Sequence, residues 1–315
     1  MPALLTHYIF ALESRTTSVS GFENAYALGN QGPDVFMPYG MVPWKKHDDT
    51  EEIRPVGAKL HHTKMVDCYG KMIGYALASP HQELLLSYLR GAFAHFALDR
   101  LAHAYIFYRS GFDEKGELHG FYKWSHGYFE ACLDKALAKR KKMKKRPFKV
   151  LKCDKQEVEI ISKMWQDCCP YPLKEDSFFL SWKDSISSMK LIQSRTGWKR
   201  PILKKIMGVT SQAYAQSMPG RIGKYEGLDF ENLSHSEWKD PATGEIRTSS
   251  IDDLFAEAKL DLLELEKILE AAKQGKEFLT RLDAWEANLD HDGTPYGGSK
   301  RYYDLCWPKK EHEID

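Results

Sequence analysis

The chain has 315 residues, of which 43% are hydrophobic, and its formal net charge at pH 7 is +1. This length and apolar content indicate an ordinary soluble globular protein with a substantial core, and they exclude a disordered chain. The near-zero net charge gives no overall attraction to nucleic acid and no acidic tail, so any basic or acidic surface must be local.

The N-terminal stretch MPALLTHYIFALESR lacks a basic start and has only a brief apolar run, which makes it a poor signal peptide. No stretch approaches the roughly 20 uninterrupted apolar residues that a membrane span needs. The six cysteines show no CxxC spacing, which fits a reducing compartment. We therefore predict a cytoplasmic protein whose cysteines are small core residues.

Helical periodicity dominates the chain and predicts an all-α protein. The predicted helices span residues 4–16, 21–29, 61–78, 81–109, 119 or 122–142, 155–167, 174–196, 199–207, 251–273 and 276–289. Ser250 and Asp253 predict a capping box at the start of the longest C-terminal helix. Turn-rich segments at 29–55 and 208–249 interrupt the pattern, and no set of alternating strands stands out.

A basic run, KRKKMKKRP at 139–147, ends the first helical half. We interpret this run as a solvated helix end followed by a linker. The alternative interpretation is attraction of an anionic headgroup or phosphodiester. The run divides the chain into residues 1–147 and 148–315, which we expect to pack together as one domain.

The stretch AHFALDRLAHAY places His95, Asp99 and His103 four residues apart in a mostly apolar run. At 3.6 residues per turn these side chains share one stripe of a helix. Small residues such as Gly91 and Ala102 lie nearby and allow another element to come close. Burial of an unpaired carboxylate costs several kcal/mol, so Asp99 needs an arginine, a set of donors or a metal ion.

A second stripe, His126, Glu130 and Asp134, follows on the next predicted helix, and nine of the twelve histidines precede residue 130. A single histidine on an apolar face would be a hydrogen-bonded core residue. Two stripes on facing helices favour a metal site inside a bundle instead. Imidazole and carboxylate without thiolate suit Zn²⁺ or a similar divalent ion.

The motifs HFALDRLAH and HGYFE, preceded by GNQGPD and THY, resemble those of the zinc-dependent phospholipase C family. That family includes bacterial phosphatidylcholine-hydrolysing phospholipase C and clostridial alpha-toxin, and fungal zinc nucleases share its site architecture. The resemblance covers about the first 135 residues. It implies a helical bundle of the phospholipase C and zinc nuclease type, here with additional C-terminal helices, that holds up to three zinc ions and cleaves phosphate esters.

The resemblance also implies a set of metal ligands. One zinc would lie on Asp34, a histidine of LHHTK, His95 and Asp99, a second on His7 and the same Asp99, and the third on His103, His126 and Glu130. Within LHHTK we prefer His61 to His62, because the spacing to the following apolar residues is closer to that of the family. Asp34 would be both a ligand and the base or orienting group for the attacking water.

The chain departs from the family pattern at two places. His103 is followed by Ala104 where a proline is common, and the N-terminal tryptophan of the secreted members, whose amine helps to bind zinc, is absent. The chain begins Met1-Pro2, and a penultimate proline permits removal of the initiator methionine. We predict that the amine of Pro2 is then presented to the zinc that His7 holds.

The expected activity is hydrolysis of a phosphate ester by a metal-activated water, with phospholipid among the candidate substrates. A nuclease or nucleotide phosphoesterase is one alternative, and a non-catalytic, metal-stabilised interaction module is another. The polar segment KKHDDTEE around His47 and the loop histidine His119 are expected at the surface. The loop NLDHDGTPYGG near Asp290 offers carboxylates, but nothing in the sequence assigns it a role.

Overall fold

A computed structural model describes residues 4–16, 19–42, 44–144, 147–194, 196–208, 211–217, 228–300 and 307. Within these ranges the chain forms thirteen α-helices, one 3₁₀ helix and a two-stranded antiparallel ladder. The all-α prediction is therefore confirmed at the level of fold class. No helix in the described ranges combines the length and the apolar character that crossing a bilayer requires.

The helices before the basic run are α1 (Leu4–Ser14), α2 (Glu23–Gly29), α3 (Thr50–His61), α4 (Met65–Ala78), α5 (Gln82–Ser110) and α6 (Gly120–Arg140), with the 3₁₀ helix Gly32–Phe36 between α2 and α3. The later elements are α7 (Pro147–Val150), α8 (Lys155–Cys168), α9 (Ser177–Ile192), α10 (Lys199–Met207), α11 (Gln212–Ala215), β1 (Trp238–Lys239), β2 (Ile246–Arg247), α12 (Ile251–Lys273) and α13 (Leu279–Glu286).

The central element is α5, which is buried around most of its circumference. A helix that is apolar on all sides belongs in the interior of a protein. Helices α1, α2, α4, α6, α8 and α12 pack around α5. Elements from both halves of the chain thus share one hydrophobic core, and the stripe of α5 that carries Asp99 lies inside it.

Helices α2 and α5 cross at two glycines. A Cβ on Gly91 would lie 2.1 Å from the Tyr26 carbonyl oxygen, and one on Gly29 would lie 2.0 Å from the Tyr88 carbonyl oxygen. The prediction that small residues admit a close neighbour is therefore confirmed at Gly91. The crossing also fixes the 3₁₀ helix that follows α2 and carries Asp34.

We expect Gly91→Ala to destabilise the protein, because the added methyl group meets backbone that cannot move alone. Overpacking of this kind costs about 1–3 kcal/mol of unfolding free energy. Gly74→Ala is the matched control, since nothing lies within 4 Å of a Cβ at that position in α4. We expect Gly74→Ala to be neutral or to stabilise by about 0.5–1 kcal/mol. Urea unfolding measures both; equal effects of the two substitutions would contradict the close crossing.

The predicted helix at 61–78 is wrong at its start, because α3 ends at His61 and α4 begins at Met65. The carboxylate of Glu286 accepts hydrogen bonds from the backbone N–H groups of Met65 (2.9 Å) and Val66 (3.2 Å). These bonds satisfy N–H groups that a helix N-terminus leaves free. A residue more than 200 positions away thus sets the break, which local periodicity could not indicate.

The two segments predicted to be turn-rich contain regular structure. Segment 29–55 includes the 3₁₀ helix and the first half of α3, which continues through Pro55 although proline usually interrupts a helix. Segment 208–249 contains α11 and both strands. The predicted capping box is confirmed, because the Ser250 side chain accepts from Asp253 N–H and the Asp253 carboxylate accepts from Ser250 N–H.

The described start of the basic run is paired with acidic side chains. The Arg140 guanidinium donates to both carboxylate oxygens of Asp252 (2.8 and 2.9 Å) and to Glu231 (2.7 Å). Lys141 Nζ lies 2.8 Å from a Glu13 oxygen. These two cations therefore fasten α6 to the second half of the chain and to α1. Lys139, Lys141, Lys142 and Lys144 are nevertheless exposed, which fits the predicted solvated helix end.

Candidate metal centre

The stripe on α5 forms the middle of a buried polar cluster. His95, Asp99 and His103 are at most 5% exposed. His95 Nε2 lies 3.2 Å from Asp99 Oδ2, and His103 Nδ1 lies 3.5 Å from Asp99 Oδ1. One carboxylate thus stands between two histidines, each one helical turn away.

Three residues from upstream elements reach the same cluster. His7 on α1 places its Nε2 3.3 Å from Asp99 Oδ1. Asp34 on the 3₁₀ helix and His61 at the end of α3 face each other, with Oδ1 and Nε2 3.2 Å apart. The side chain of His62 is 60% exposed. Of the two LHHTK histidines, His61 is therefore the one in the cluster.

Helix α6 adds two residues at the other end of the stripe. His126 Nε2 lies 3.2 Å from Glu130 Oε1, and the same oxygen lies 3.6 Å from His103 Nε2. Because His103 faces α6, the two predicted stripes meet there. All eight residues predicted as metal ligands therefore lie in one connected cluster.

The third residue of the α6 stripe, Asp134, has a different task. Its carboxylate accepts hydrogen bonds from Leu5 N–H (3.0 Å), Thr6 N–H (2.8 Å) and Thr6 Oγ1 (2.8 Å). Asp134 thereby caps the N-terminus of α1, although burial raises the pKa of its carboxyl group to about 7. This contact fixes α1 one residue before His7.

The sequence analysis missed two residues of the cluster. His291 is 1% exposed, and its Nδ1 lies 3.2 Å from Asp99 Oδ2. Asp292 Oδ1 lies 3.4 Å from His103 Nδ1. Both residues belong to the loop NLDHDGTPYGG, which has no helical period to reveal which side chains face inward. The combination of His and Asp in that loop was the only signal in the sequence.

Two buried groups have ligand atoms close enough to share a metal ion, all within 4.8 Å of one another. The first group is His61, His95, Asp99 and His291, and the second is His103, His126 and Glu130. Each group combines imidazole with one carboxylate, a donor set that suits a divalent transition metal. The cluster could therefore hold more than one ion.

Asp99 stands at the centre of the cluster, and its two oxygens face different histidines. Oδ1 lies 3.3 Å from His7 Nε2. Oδ2 lies 3.2 Å from His95 Nε2, 3.2 Å from His291 Nδ1 and 3.8 Å from His61 Nε2. A carboxylate in this position can bridge two ions.

The contacts inside the cluster are longer than most of the histidine–carboxylate pairs in the rest of the described structure. The contacts between histidine nitrogens and carboxylate oxygens described above measure 3.2–3.8 Å. Tetrahedral zinc with bonds of 2.0–2.1 Å separates its ligand atoms by about 3.3–3.4 Å. Charge-assisted hydrogen bonds are shorter, about 2.7–2.9 Å. Outside the cluster, three histidine–carboxylate pairs have such short distances: His47 to Asp184 is 2.8 Å, His62 to Asp290 is 2.9 Å and His119 to Glu117 is 2.6 Å. A fourth pair, His235 to Asp253, is 3.4 Å apart.

Backbone carbonyl groups fix the orientation of two histidines. His61 Nδ1 donates to the Gly57 carbonyl oxygen (2.7 Å), and His103 Nδ1 donates to the His291 carbonyl oxygen (3.1 Å). Because a carbonyl oxygen can only accept, the proton lies on Nδ1 in both rings. Once the second proton of each ring is lost, the Nε2 atoms that face the carboxylates can bind a metal, an arrangement typical of metal-ligating histidines.

The carboxylates of the cluster are ionised at neutral pH. Burial opposes their charge, but the neighbouring histidines outweigh it and lower the pKa of Asp34 and, further, that of Asp99. In the same way His126 and His103 lower the pKa of Glu130 to about 2. The negative charges of Asp34, Asp99 and Glu130 therefore lie in the interior and need positive charge nearby.

Four histidines of the cluster divide into two kinds by the direction in which their pKa is shifted. Burial disfavours a charged His61, but contact with Asp34 raises its pKa to about 9, and Asp99 likewise raises the pKa of His103 to about 10. Burial lowers the pKa of His95, and it lowers that of His291 to about 3. In the metal-free protein, protons on the first two rings therefore offset part of the negative charge, while the other two rings stay neutral.

Several buried polar atoms of the cluster lack a hydrogen bond within the described structure. These atoms are His7 Nδ1, Asp34 Oδ1, both ring nitrogens of His95, Glu130 Oε1 and His291 Nε2. Most buried polar atoms of proteins are hydrogen-bonded, because an unpaired one costs free energy. Nitrogen and oxygen atoms that lack a hydrogen bond and lie together in one region are suited to be the ligand atoms of a metal site.

Other predicted candidates lie elsewhere. His47 stacks on Tyr39 and contacts Asp184, and His119 contacts Glu117 at the surface. Neither histidine is part of the cluster. The predicted terminal ligand, Pro2, lies outside the described residues.

Comparison of the chain with protein-family models, with curated proteins and with solved structures gives no match.

Proposed function

We propose that the protein is a metal-dependent phosphoesterase with a site of the zinc-dependent phospholipase C type. The observation that carries this proposal is the position of Asp99, whose two oxygens face separate sets of histidines. Bridged pairs of metal ions are typical of phosphatases, nucleases and related hydrolases. The motif resemblance in the first half of the chain adds phosphate esters as the substrate class.

Up to three zinc ions would be held by the cluster. His61, His95 and Asp99, with Asp34 beside them, would hold one ion; His7 and Asp99 a second; and His103, His126 and Glu130 a third. When bound, such ions make water a stronger nucleophile at neutral pH and neutralise charge on the phosphoryl oxygens.

Within this site Asp34 is the candidate base. Its pKa is lowered, so the carboxylate is ionised at neutral pH, and its Oδ1 has no hydrogen bond within the described structure. An ionised oxygen beside His61 can orient a water molecule and accept its proton. Both oxygens of Asp99 contact histidine nitrogens, which suits this carboxylate to hold metal rather than to transfer protons.

Substrate would approach the cluster at its most exposed end. His126 and Asp292 are 12% and 13% exposed, whereas the other cluster histidines and carboxylates are at most 7% exposed. Lys300 Nζ lies 2.8 Å from Asp292 Oδ2 at this end. We propose that this lysine offers positive charge to an arriving phosphate group.

The burial of the cluster also favours a second function, a metal site that only stabilises the fold. Structural zinc sites are closed, whereas catalytic sites keep a position open for water. The strong burial of His95 and Asp99 is compatible with a closed site.

The deciding experiment combines metal analysis with hydrolysis assays. Purified protein is dialysed, its zinc content is measured by mass spectrometry, and it is assayed on bis(p-nitrophenyl) phosphate, p-nitrophenyl phosphate, phosphatidylcholine vesicles and single-stranded DNA. Zinc-dependent turnover of at least one ester supports the proposal, and the preferred ester separates the lipase and nuclease alternatives. Bound zinc without turnover of any ester would leave the structural function, and absence of bound metal would refute both.

Zinc affinity should rise with pH. At pH 7 the metal-free protein carries protons on His61 and His103, whose pKa values are about 9 and 10. Because the pKa of each ring is raised in the folded protein, protonation of these rings stabilises the metal-free fold. This stabilisation is complete below about pH 6.5 and is lost as the pH rises through 9 and 10. Zinc must displace the proton of His61 in one group of ligands and that of His103 in the other. Its affinity for each group should therefore rise about tenfold per pH unit. Titrations against a chromophoric chelator at pH 6.5, 7.5 and 8.5 measure the slope; an affinity independent of pH would contradict the protonation of these two rings.

A further inference from the structure

The loop between Asp290 and Thr294 has a rigid local structure. The Asp290 carboxylate accepts hydrogen bonds from the N–H groups of Asp292 (2.9 Å) and Thr294 (3.0 Å). Asp290 N–H donates to the Thr294 carbonyl oxygen (2.9 Å). These hydrogen bonds connect the two ends of the loop, so the backbone at Asp290 has little freedom to change its direction.

The backbone of His291 joins this loop to two histidines of the cluster. Its N–H donates to the His61 carbonyl oxygen (3.1 Å), and its carbonyl oxygen accepts from His103 Nδ1 (3.1 Å). The His291 ring lies 4.7 Å from the His61 ring and 5.3 Å from the His95 ring, between centroids. His291 is therefore held inside the cluster by its main chain as well as by its side chain.

A glycine makes this close position accessible. Gly293 has φ +72°, and a Cβ there would lie 2.2 Å from the Arg100 carbonyl oxygen on α5. Both the positive φ and the close approach to α5 require glycine. The loop therefore lies directly on the backbone of the helix that carries Asp99.

Three ring nitrogens converge on one oxygen of this cluster. Asp99 Oδ2 faces His95 Nε2 (3.2 Å), His291 Nδ1 (3.2 Å) and His61 Nε2 (3.8 Å). Of these three contacts, only that of His291 has hydrogen-bond geometry, and the His61 contact is too long for a hydrogen bond. Neither nitrogen of His95 has a hydrogen bond in the described structure. A single metal ion between Asp99 Oδ2 and the three ring nitrogens could bind all four atoms.

We propose that His291 is itself a metal ligand, supplying a ring nitrogen to the ion held by His61, His95 and Asp99. This inference rests on the proposed function only in that the cluster binds metal. It makes the C-terminal loop part of a site that the two stripes and the upstream motifs otherwise define. The ligand expected is a divalent ion that prefers nitrogen, such as Zn²⁺ or Co²⁺.

The test compares His291→Phe with His47→Phe. Phenylalanine keeps a ring in the space of His291 but has no nitrogen, and His47 stacks on Tyr39 and contacts Asp184 (2.8 Å) outside the cluster. Zinc stoichiometry and affinity are measured by chelator competition, and the visible spectrum of the cobalt-loaded protein reports the ligand set. We expect His291→Phe to lose one ion, or to bind it at least about 100-fold more weakly, with an altered cobalt spectrum.

We expect His47→Phe to keep the wild-type metal stoichiometry and cobalt spectrum. Gly293→Ala should weaken the binding of the same ion, because the added methyl group moves the loop while all the histidine side chains of the cluster are retained. A loss of less than about 100-fold with an unchanged cobalt spectrum would mean that His291 only positions Asp99, and it would overturn this inference while the proposed function stands. Wild-type protein that takes up neither zinc nor cobalt would overturn both.

Discussion

Asp99→Asn should abolish metal binding at the bridged sites and lower kcat/KM by about a thousandfold, equivalent to about 4 kcal/mol of transition-state stabilisation. Asparagine keeps the size of the side chain but removes the negative charge and the second anionic oxygen. His7 would lose its carboxylate partner, and His95 would lose the oxygen that lies 3.2 Å away. Zinc content and ester hydrolysis measure the two effects separately.

Asp184→Asn is the matched control for that substitution. Asp184 is 1% exposed, contacts His47 Nε2 (2.8 Å) and accepts a hydrogen bond from Gly40 N–H (2.9 Å), so it is an equally buried histidine partner outside the cluster. We expect Asp184→Asn to lower the free energy of unfolding but to keep the wild-type zinc content and hydrolytic activity. Full zinc content and activity in Asp99→Asn would refute the bridging role.

Removal of metal should lower the melting temperature by about 10 °C while the helices persist. A site loaded at a thousand times its Kd contributes about 4 kcal/mol to the free energy of unfolding, and in a chain of this size that is several degrees for each site. The helices should persist because the core around α5 is apolar and does not depend on the ion. Far-ultraviolet circular dichroism of protein dialysed against a chelator measures both quantities.

Re-addition of metal provides the control for chelation. Zn²⁺ should restore the melting temperature and Mg²⁺ should not, because most of the clustered donor atoms are imidazole nitrogens, whereas Mg²⁺ prefers oxygen. An unchanged melting temperature after the metal content has fallen to zero would contradict a role of the ion in stability.

The middle of the site could be predicted from sequence because its residues lie on helices. Steps of four residues place His95, Asp99 and His103 on one face whatever the rest of the fold does. The same rule found His126 and Glu130 on α6. For each of these residues, the local spacing alone was enough to predict that the side chains share a face.

The remaining residues required more than spacing. His7 and Asp34 lie on short elements with no periodic partner, so they were identified only through the resemblance to a family. His291 had neither signal, because its position depends on the turn around Asp290 and on a contact with α5 that Gly293 permits. The start of α4 was missed for the same reason, since its cap comes from a distant glutamate.

The contact between His291 and Asp99 joins residues that are 192 positions apart. Closing so long a segment costs conformational entropy, and contacts of high sequence separation form slowly during folding. During synthesis, the stripe on α5 leaves the ribosome well before residue 291 exists. The nascent chain therefore carries most of its clustered histidines and carboxylates for some time without the loop that covers them, and the complete cluster is one of the last parts of the molecule to assemble.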